Sequence, residues 1–261
     1  MSESIKPAII EMRDVNVATM RDDSRTVVEC VNWSVMPGEF WVVGGQQHAG
    51  KSDLLMLAAG LMSPATGSSR VFGVETELLG EDQLAERRRI GFVFQGGRLF
   101  NRLTVAENVA LPVRYQKDLR STDAAKVVNH LLELLELTTF VDVTPGNMPG
   151  NWRLRVALAR ALILKPELLL LDNPFSGLGA RHRQWLLRFL DQLWRGHAWL
   201  EGRPLTMVVT TDDLRPWESP ARKFALLHEK TFVCLGSWGE TTTNHHPAVR
   251  ELLADAADTN Y

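Results

Sequence analysis

The sequence contains few cysteines and no surplus of charge of either sign. Cys30 and Cys234 lie far apart and fit no metal-ligand spacing, so we expect a chain with reduced thiols, with a single disulfide as the alternative. The 29 basic and 31 acidic residues leave a formal charge of −2. Such a balance gives no general reason to expect a polyanionic partner, and we predict no nucleic-acid binding.

Long apolar runs are also absent. No stretch approaches the roughly 20 apolar residues that a membrane-spanning helix needs, and the N-terminal segment MSESIKPAIIEMRD lacks the basic start and apolar core of a signal peptide. We therefore expect a cytoplasmic chain, and a role at a membrane would require another chain to cross it. With 261 residues and 45% hydrophobic content, the chain can form the core of a large α/β domain.

Segments with strand and helix periodicity alternate along the chain. TVVECVNWSVMPGEFWVVGG predicts two strands joined by a Pro-Gly turn, whereas TVAENVALPVRY and AAKVVNHLLELLEL have helical spacing, with Thr104 and Ser121 as candidate N-caps. A helix (RLRVALARALIL), the strand Leu168–Leu171, a second helix (RHRQWLLRFLDQLW) and a strand (LTMVVT) follow. This order predicts an α/β fold with a largely parallel sheet covered by helices.

A complete phosphate-loop motif of the form G-x-x-x-x-G-K-S follows the second predicted strand. Glycines let backbone amides turn toward phosphate groups, Lys51 supplies a positive charge at the β/γ end, and Ser52 can ligate Mg²⁺. The motif stands between a predicted strand and a predicted helix, DLLMLAAGLM, which is the context that makes the match meaningful. We predict a nucleotide-phosphate site formed by Gly45, Gln46, Gln47, His48, Ala49, Gly50, Lys51, Ser52 and Asp53.

An acidic residue ends the apolar strand in the second half of the chain. Four leucines carry Asp172 to the carboxyl edge of the predicted sheet, where open α/β sheets bind ligands and a carboxylate can hold magnesium. Alone, LLLLD is a weak pattern, because a core strand that ends at a turn has the same composition. Together with the phosphate loop, it predicts a magnesium-nucleotide site.

In this order the motifs resemble those of the nucleotide-binding subunits of ATP-binding-cassette (ABC) transporters. IGFVFQGGRLFNRLTVAENVALPVRY is similar to the Q-loop region of that family, and RLRVALARALILKPELLLLDNPFSGL is similar to its signature helix and second acidic motif. The resemblance implies a P-loop NTPase of ABC type over residues 1–240, with an antiparallel β subdomain, a helical subdomain at about 97–165 and a tail at 241–261. GRLFNRLTVAENVALPVR shows a finer similarity to the ATPases of Mla/Mce-type lipid transporters.

The resemblance also implies ligands and partners. The ligands are ATP and Mg²⁺, with Ser52, Gln95 and Asp172 at the metal, and Gln95 is the residue that senses magnesium and the membrane partner. The partners are an integral membrane permease and a second ABC ATPase subunit, in a homodimer or heterodimer, at the cytoplasmic face of the membrane. The permease surface is expected between Gln95 and Pro112. There, a few apolar residues either form a groove for a partner helix or pack the subdomain core: Leu99, Phe100, Leu103 and Val105.

Several residues of the phosphate loop depart from the family pattern. Gln46, Gln47 and His48 replace the usual small residues, and Asp53 replaces a hydroxyl residue. A carboxylate near a phosphate disfavours binding by about 1 kcal/mol or more unless lysine or Mg²⁺ screens it. The alternative is that Asp53 turns outward in the first turn of its helix, where a negative charge is favourable. An aromatic platform for adenine is also missing from VATMRDDSRTVV.

The signature loop, L-S-G-G-Q in the family, is Met148-Pro149-Gly150-Asn151-Trp152 in this chain. Pro149 has neither an amide hydrogen nor a hydroxyl, so it cannot replace the serine that reaches the γ-phosphate of the opposing subunit. Arg153 and Arg155 either supply positive charge near that interface or are solvated at the start of the helix.

The catalytic positions lack the groups that cleave ATP. Asn173 replaces a glutamate, and an amide cannot take a proton from water at neutral pH, so a general-base contribution of about 10²- to 10⁴-fold should be lost. Thr211 or Asp212 stands at the switch-histidine position, and Gly179 replaces an aspartate. We predict a subunit that binds ATP and drives a membrane partner with weak or no hydrolysis. The alternatives are a working ATPase, in which Asp172, Gln95 or a residue in trans compensates, and a soluble regulatory or scaffold protein without a transport role.

Overall fold

Apolar strands form the sheet in a computed structural model that describes residues 7–76, 83–115, 121–219 and 221–254. Three of the strands, β3, β7 and β8, are buried along their whole length, as expected for strands covered on both faces. The strands are β1 (Ile10–Thr19), β2 (Asp22–Val35), β3 (Phe40–Gly45), β4 (Thr66–Val71), β5 (Val74–Glu75), β6 (Ile90–Val93), β7 (Leu168–Leu171), β8 (Thr206–Thr211), β9 (Lys223–His228) and β10 (Thr231–Gly236).

The helices match the segments with helical spacing. Thr104 caps α3, as predicted, and it forms a capping box with Glu107. Ser121, the second candidate N-cap, is instead the first helical residue of α4, and residues 116–120 lie outside the described part of the chain. The helices are α1 (Lys51–Ala58), α2 (Leu84–Arg88), α3 (Val105–Arg114), α4 (Ser121–Leu134), α5 (Gly150–Leu162), α6 (Ala180–Gly196), α7 (Trp238–Thr242) and α8 (Pro247–Leu253). Short 3-10 helices lie at Thr138–Phe140, Pro145–Asn147, Ala198–Leu200 and Arg215–Trp217.

The chain divides into two compact units, one of Met1–Arg87 with Leu205–Tyr261 and one of Arg88–Pro204. In the first unit the strand order is β5-β4-β1-β2-β10-β9-β3-β8. β3 pairs in parallel with β8 and β9, whereas β1 pairs antiparallel with β2 and β4. The predicted combination of a parallel core with antiparallel strands is confirmed, and the segment after β3 begins in the middle of the parallel part.

The second unit combines two strands with the helices of the chain's middle. β6 and β7 pair in parallel, with Val93 opposite Leu171, and α3, α4 and α5 pack together beside them. Asn108 is a fully buried polar residue of α3. Its side chain accepts a hydrogen bond from the Phe100 amide and donates to the carbonyls of Phe100, Leu103 and Thr104. This amide therefore fixes the loop that leads into α3.

Among the helices of these described ranges, none has both the length and the apolar character that crossing a membrane requires.

Candidate nucleotide site

The phosphate loop connects β3 to α1 in the first unit. Gly50 caps α1 with a φ of 89°, a left-handed conformation that glycine adopts without strain. His48 also has a positive φ, 67°, and the Ala49 amide donates to the Gln46 carbonyl at 3.3 Å. These turns bring the chain into α1 at Lys51, so the N-terminus of the helix faces the loop, as in sites that hold phosphate groups.

Lys51 lies across the base of this loop. The residue is 8% exposed, and its ammonium group donates to the backbone carbonyls of Gly45 and Gln46, the latter at 2.7 Å. These carbonyls hold the positive charge next to the loop amides. Gln46, Gln47 and His48 are exposed, whereas Ala49 and Ser52 are half-buried. The loop therefore presents polar side chains on its outside and the lysine on its inside.

The Asp53 side chain forms a hydrogen bond outside the phosphate loop. Its carboxylate accepts a hydrogen bond at 3.1 Å from the amide of Met20, which follows β1 at the turn into β2. This contact favours the outward alternative over repulsion between the carboxylate and a nucleotide phosphate. Met20 itself is exposed and belongs to the segment that lacks an aromatic platform.

An open cavity of about 340 Å³ adjoins the phosphate loop in the first unit. Its size falls in the range of small-molecule pockets, about 300–1,000 Å³. The lining residues come from β2, the loop, and the end of β9 with the following turn: Arg25, Thr26, Val27, Gln46, Gln47, His48, Ala49, Leu227, His228, Glu229 and Lys230. Three separate segments of the chain thus line this one cavity.

Of the two candidates for the switch position, Thr211 is the last residue of β8 and Asp212 follows it, both in the first unit. The Thr211 hydroxyl donates to the Asp213 carbonyl at 2.8 Å and accepts from the Asp213 amide at 3.1 Å. Asp212 is exposed. Because Thr211 is buried and bonded within its own turn, and because neither side chain is an imidazole, this position lacks the proton-transfer group that histidine supplies near neutral pH.

Asp172 and Asn173 follow β7 in the second unit. The two residues are 5% and 9% exposed, and the Asp172 amide donates to the Val93 carbonyl at 2.8 Å. Asn173 has a φ of 39°, a left-handed conformation in which asparagine is enriched. The structure therefore places a carboxylate and an amide together at the carboxyl end of a buried strand.

Gln95 follows β6 at the same edge of the second unit, because β6 and β7 are parallel neighbours. Its amide donates to the Ser176 hydroxyl at 3.1 Å, and the Ser176 amide donates to the Asn173 carbonyl at 3.1 Å. The sequence prediction missed Ser176. Its position three residues after Asn173, as expected in a tight turn, is the signal that could have indicated it.

The signature loop leads into α5. Pro149 occupies the cap position without a side-chain hydrogen bond, and it is exposed together with Gly150. Met148 is buried, Asn151 is half-buried, and the Trp152 ring packs against Phe140 and His182 at centroid distances of 5.1 and 5.4 Å. The first turn of α5 is therefore held by aromatic packing.

Arg155 is not solvated, which corrects one of the two expectations for this residue. It is 5% exposed, and its guanidinium carbon lies 4.5 Å from the Trp152 ring centroid and 3.6 Å from that of Trp185. It also donates to the Glu136 carboxylate at 2.7 Å. The alternative, positive charge offered at an interface, is also wrong for Arg155, because the two indoles and Glu136 enclose the guanidinium within the second unit.

The four apolar residues expected at the permease surface differ in exposure. Val105 is fully buried, so for this residue the core alternative is correct. Leu99 and Leu103 are half-buried, and Phe100 is 58% exposed. Phe100 is thus the apolar side chain of this group that the second unit presents to solvent.

Magnesium bound with a nucleotide needs few protein ligands, because phosphates and water supply the rest. Within the described ranges, no group of three His, Cys, Asp or Glu side chains is suited to holding a metal ion. The half-buried Ser52 hydroxyl in the first unit and the Asp172 carboxylate in the second fit the ligand types that magnesium prefers. Each of these residues is suited to one protein contact with a nucleotide-bound ion.

A glycine-rich loop that leads from a buried parallel strand into a helix, with its lysine held at the loop carbonyls, defines a P-loop nucleotide-binding domain. Residues 28–176 match the family model described as ABC transporter. The chain belongs to this family.

Known relatives span most of the chain. The sulfate/thiosulfate import ATP-binding protein CysA of Pectobacterium atrosepticum is 35% identical over 96% of this chain and 72% of its own length. A probable CysA of Chlorella vulgaris is 37% identical over 87% of this chain and 91% of its own. The dimeric structure of the ATP-binding cassette MJ0796 in a post-hydrolysis state, bound to ADP and Pi, has a TM-score of 0.73 and 28% identity, covering 85% of this chain and 95% of that one. These relatives do not support the finer similarity to lipid transporters.

Proposed function

We propose that the chain is the nucleotide-binding subunit of a membrane transporter, which holds Mg-ATP at the phosphate loop and hydrolyses it slowly. The observation that carries the slow hydrolysis is Asn173, which follows Asp172 at the buried end of β7. An amide can orient a water molecule by hydrogen bonding, but it cannot accept its proton at neutral pH. The loss of a general base reduces turnover by about 10²- to 10⁴-fold.

The other substitutions support a division between binding and cleavage. Lys51, Ser52 and Asp172 are the groups suited to phosphate and magnesium, and all three are present. By the family resemblance, Pro149 stands at the position that acts on the γ-phosphate, and Thr211 or Asp212 stands at the position that acts on the attacking water. None of the three supplies the group that the family uses there. We infer that ATP binding is retained and that Gln95 senses magnesium and the membrane partner, as the family resemblance implies. We also infer that closure of the subunits around ATP, rather than cleavage of ATP, moves the membrane partner.

The partners we propose are an integral membrane permease and a second ABC ATPase subunit, at the cytoplasmic face of the membrane. The names of the relatives as import proteins and the dimeric MJ0796 cassette support this assembly. We place the permease contact at the exposed Phe100. Phe100→Asp should release the permease and leave Mg-ATP affinity unchanged, and Leu61→Asp, an exposed apolar site in the first unit, should release nothing. Permease binding that survives Phe100→Asp would remove this assignment.

The cargo is a separate question, because the nucleotide-binding subunit acts through its permease. The relatives' names favour a sulfur oxyanion, whereas the resemblance of GRLFNRLTVAENVALPVR favours lipid. Vesicles reconstituted with the co-purified permease should distinguish the two, since uptake of labelled sulfate and exchange of labelled phospholipid are independent readouts of the same preparation.

The slow-hydrolysis proposal is tested by steady-state ATP turnover of the purified chain, with Lys51→Ala as the background. We expect turnover far below about 1 s⁻¹, the low end of ordinary enzymes; a rate near that value would favour the working-ATPase alternative. Asn173→Glu should restore little activity, because Pro149 and Thr211 remain unchanged. Full restoration by this single change would contradict a site disabled at several positions. Titration with Mg-ATP measures the retained binding directly.

A further inference from the structure

One hydrogen bond joins the helix α8 to the phosphate loop. The Gln46 side-chain amide donates through Nε2 to the Glu251 carboxylate at 2.7 Å. The two residues are 205 positions apart in the sequence, and both belong to the first unit. Gln46 stands where the family resemblance implies a small residue, so the bond depends on a side chain that departs from the pattern.

Helix α8, which carries Glu251, is held in place by packing and by a hydrogen bond. Ala248 and Leu252 on the same helix are buried, and the Leu252 carbonyl accepts a hydrogen bond from the Leu214 amide at 3.1 Å. A Cβ atom at Gly44, next to the start of the loop, would lie 3.0 Å from Leu252 and 2.9 Å from Leu214. The absence of that atom lets the helix pack directly against the end of β3.

Gln46 connects this helix to the lysine of the loop. Its backbone carbonyl accepts from Lys51 Nζ at 2.7 Å and from the Ala49 amide at 3.3 Å, while its side chain is bonded to Glu251. We propose that Glu251 is a positioning residue for nucleotide binding: by fixing Gln46, it fixes the carbonyl that orients the Lys51 ammonium group. The inference rests on the proposed nucleotide-binding function and adds a residue that lies outside every motif.

Because Glu251 is charged, the direction in which its removal changes ATP affinity tests the inference. A carboxylate near the loop repels phosphate groups, so its removal would tighten ATP binding if charge alone mattered. Removal weakens binding if Glu251 acts by holding Gln46. Glu251→Gln separates the two effects, because its amide oxygen still accepts the hydrogen bond while the charge is gone.

The experiment is calorimetric titration of the full chain with Mg-ATP. Glu251→Ala and Gln46→Ala should each weaken the affinity about three- to tenfold, the scale of one hydrogen bond to an exposed carboxylate. The double variant should be no weaker than either single variant, because both changes remove the same bond. Glu251→Gln should bind at least as tightly as the native chain. Arg250→Ala is the matched control, since Arg250 lies on α8 but contacts His245, and its affinity should be native.

Affinity that is unchanged or tighter in Glu251→Ala, or losses that add in the double variant, would overturn the positioning role. Absence of Mg-ATP binding by the native chain would instead count against the proposed function. In that case hydrogen exchange of the ligand-free chain decides the inference. Faster exchange of amides 46–52 in Glu251→Ala than in Arg250→Ala supports it, and equal exchange in the two variants overturns it.

Discussion

Replacing Arg155 by alanine should destabilise the protein more than replacing any exposed arginine. The guanidinium group lies over the Trp152 ring and over the Trp185 ring, and cation–π contacts of a desolvated cation contribute about 2 kcal/mol. Its hydrogen bond to the Leu135 carbonyl, at 3.1 Å, adds about 1.5–3 kcal/mol because the donor is charged. The Glu136 side chain is 60% exposed, so this ion pair adds less than about 1 kcal/mol.

These contributions overlap and are partly offset by the desolvation of the guanidinium group, which leaves a net loss of about 2–4 kcal/mol. For a chain of this size, each kcal/mol lowers the melting temperature by about 2–4 °C. The expected decrease for Arg155→Ala is therefore about 5–15 °C in thermal unfolding followed by circular dichroism. Arg155→Lys should lose about half of this, because an ammonium group neither stacks as a plane nor forms the same fork of hydrogen bonds.

Arg188→Ala provides the control, because Arg188 lies on the same helix as Trp185 and is exposed. Its effect on the free energy of unfolding should stay within about 0.5 kcal/mol. A decrease in melting temperature below about 2 °C for Arg155→Ala, or one equal to that of Arg188→Ala, would refute the stacked arrangement as a source of stability.

Three further predictions concern the second unit. Asn108→Ala removes a buried amide with four hydrogen bonds, so we expect a loss of about 2–4 kcal/mol in urea unfolding and faster hydrogen exchange across residues 100–104. Burial, together with two nearby arginines, lowers the pKa of His182, so the neutral imidazole is favoured in the folded state. The free energy of unfolding should therefore fall as the pH drops below about 6.5. His182→Gln should reduce that fall, measured between pH 7.5 and 5.5. The hydrogen bond from Arg89 lowers the pKa of Glu167, so Arg89→Ala should destabilise the chain at pH 7. Its difference from the native chain should shrink as the pH falls below the ordinary carboxyl pKa of about 4.3, and it should be lost once the pH lies below the lowered pKa of Glu167.

Much of the fold could be predicted because its determinants are local. Four consecutive leucines predict β7 at Leu168–Leu171 with the observed bounds, and the Thr104 capping box marks the start of α3. The phosphate loop could be predicted for the same reason, since its glycines and lysine lie within one short segment. For these elements, the residues that determine the structure are close together in the sequence.

The contacts that the sequence did not predict join residues from distant segments. Arg155 is buried because Trp185 approaches it from α6 and Glu136 approaches it from the turn after α4. Glu251 reaches Gln46 only after the chain has returned to the end of β3. Val105 was ambiguous for a related reason, because an apolar residue in a helical pattern can face either the core or a partner. Such questions depend on packing, which periodicity does not specify.

The left-handed backbone at Asn173 makes the conformational cost of a substitution there depend on the new side chain. Glutamate costs about 1–2 kcal/mol in that conformation, whereas asparagine and aspartate tolerate it through local hydrogen bonding. A glutamate variant is therefore expected either to shift the turn in which Ser176 is bonded to Asn173 or to be less stable than the native chain. Aspartate restores a carboxylate at much lower conformational cost. Comparing Asn173→Asp with Asn173→Glu therefore separates the conformational cost of a carboxylate residue in this turn from the side-chain length that a general base needs there.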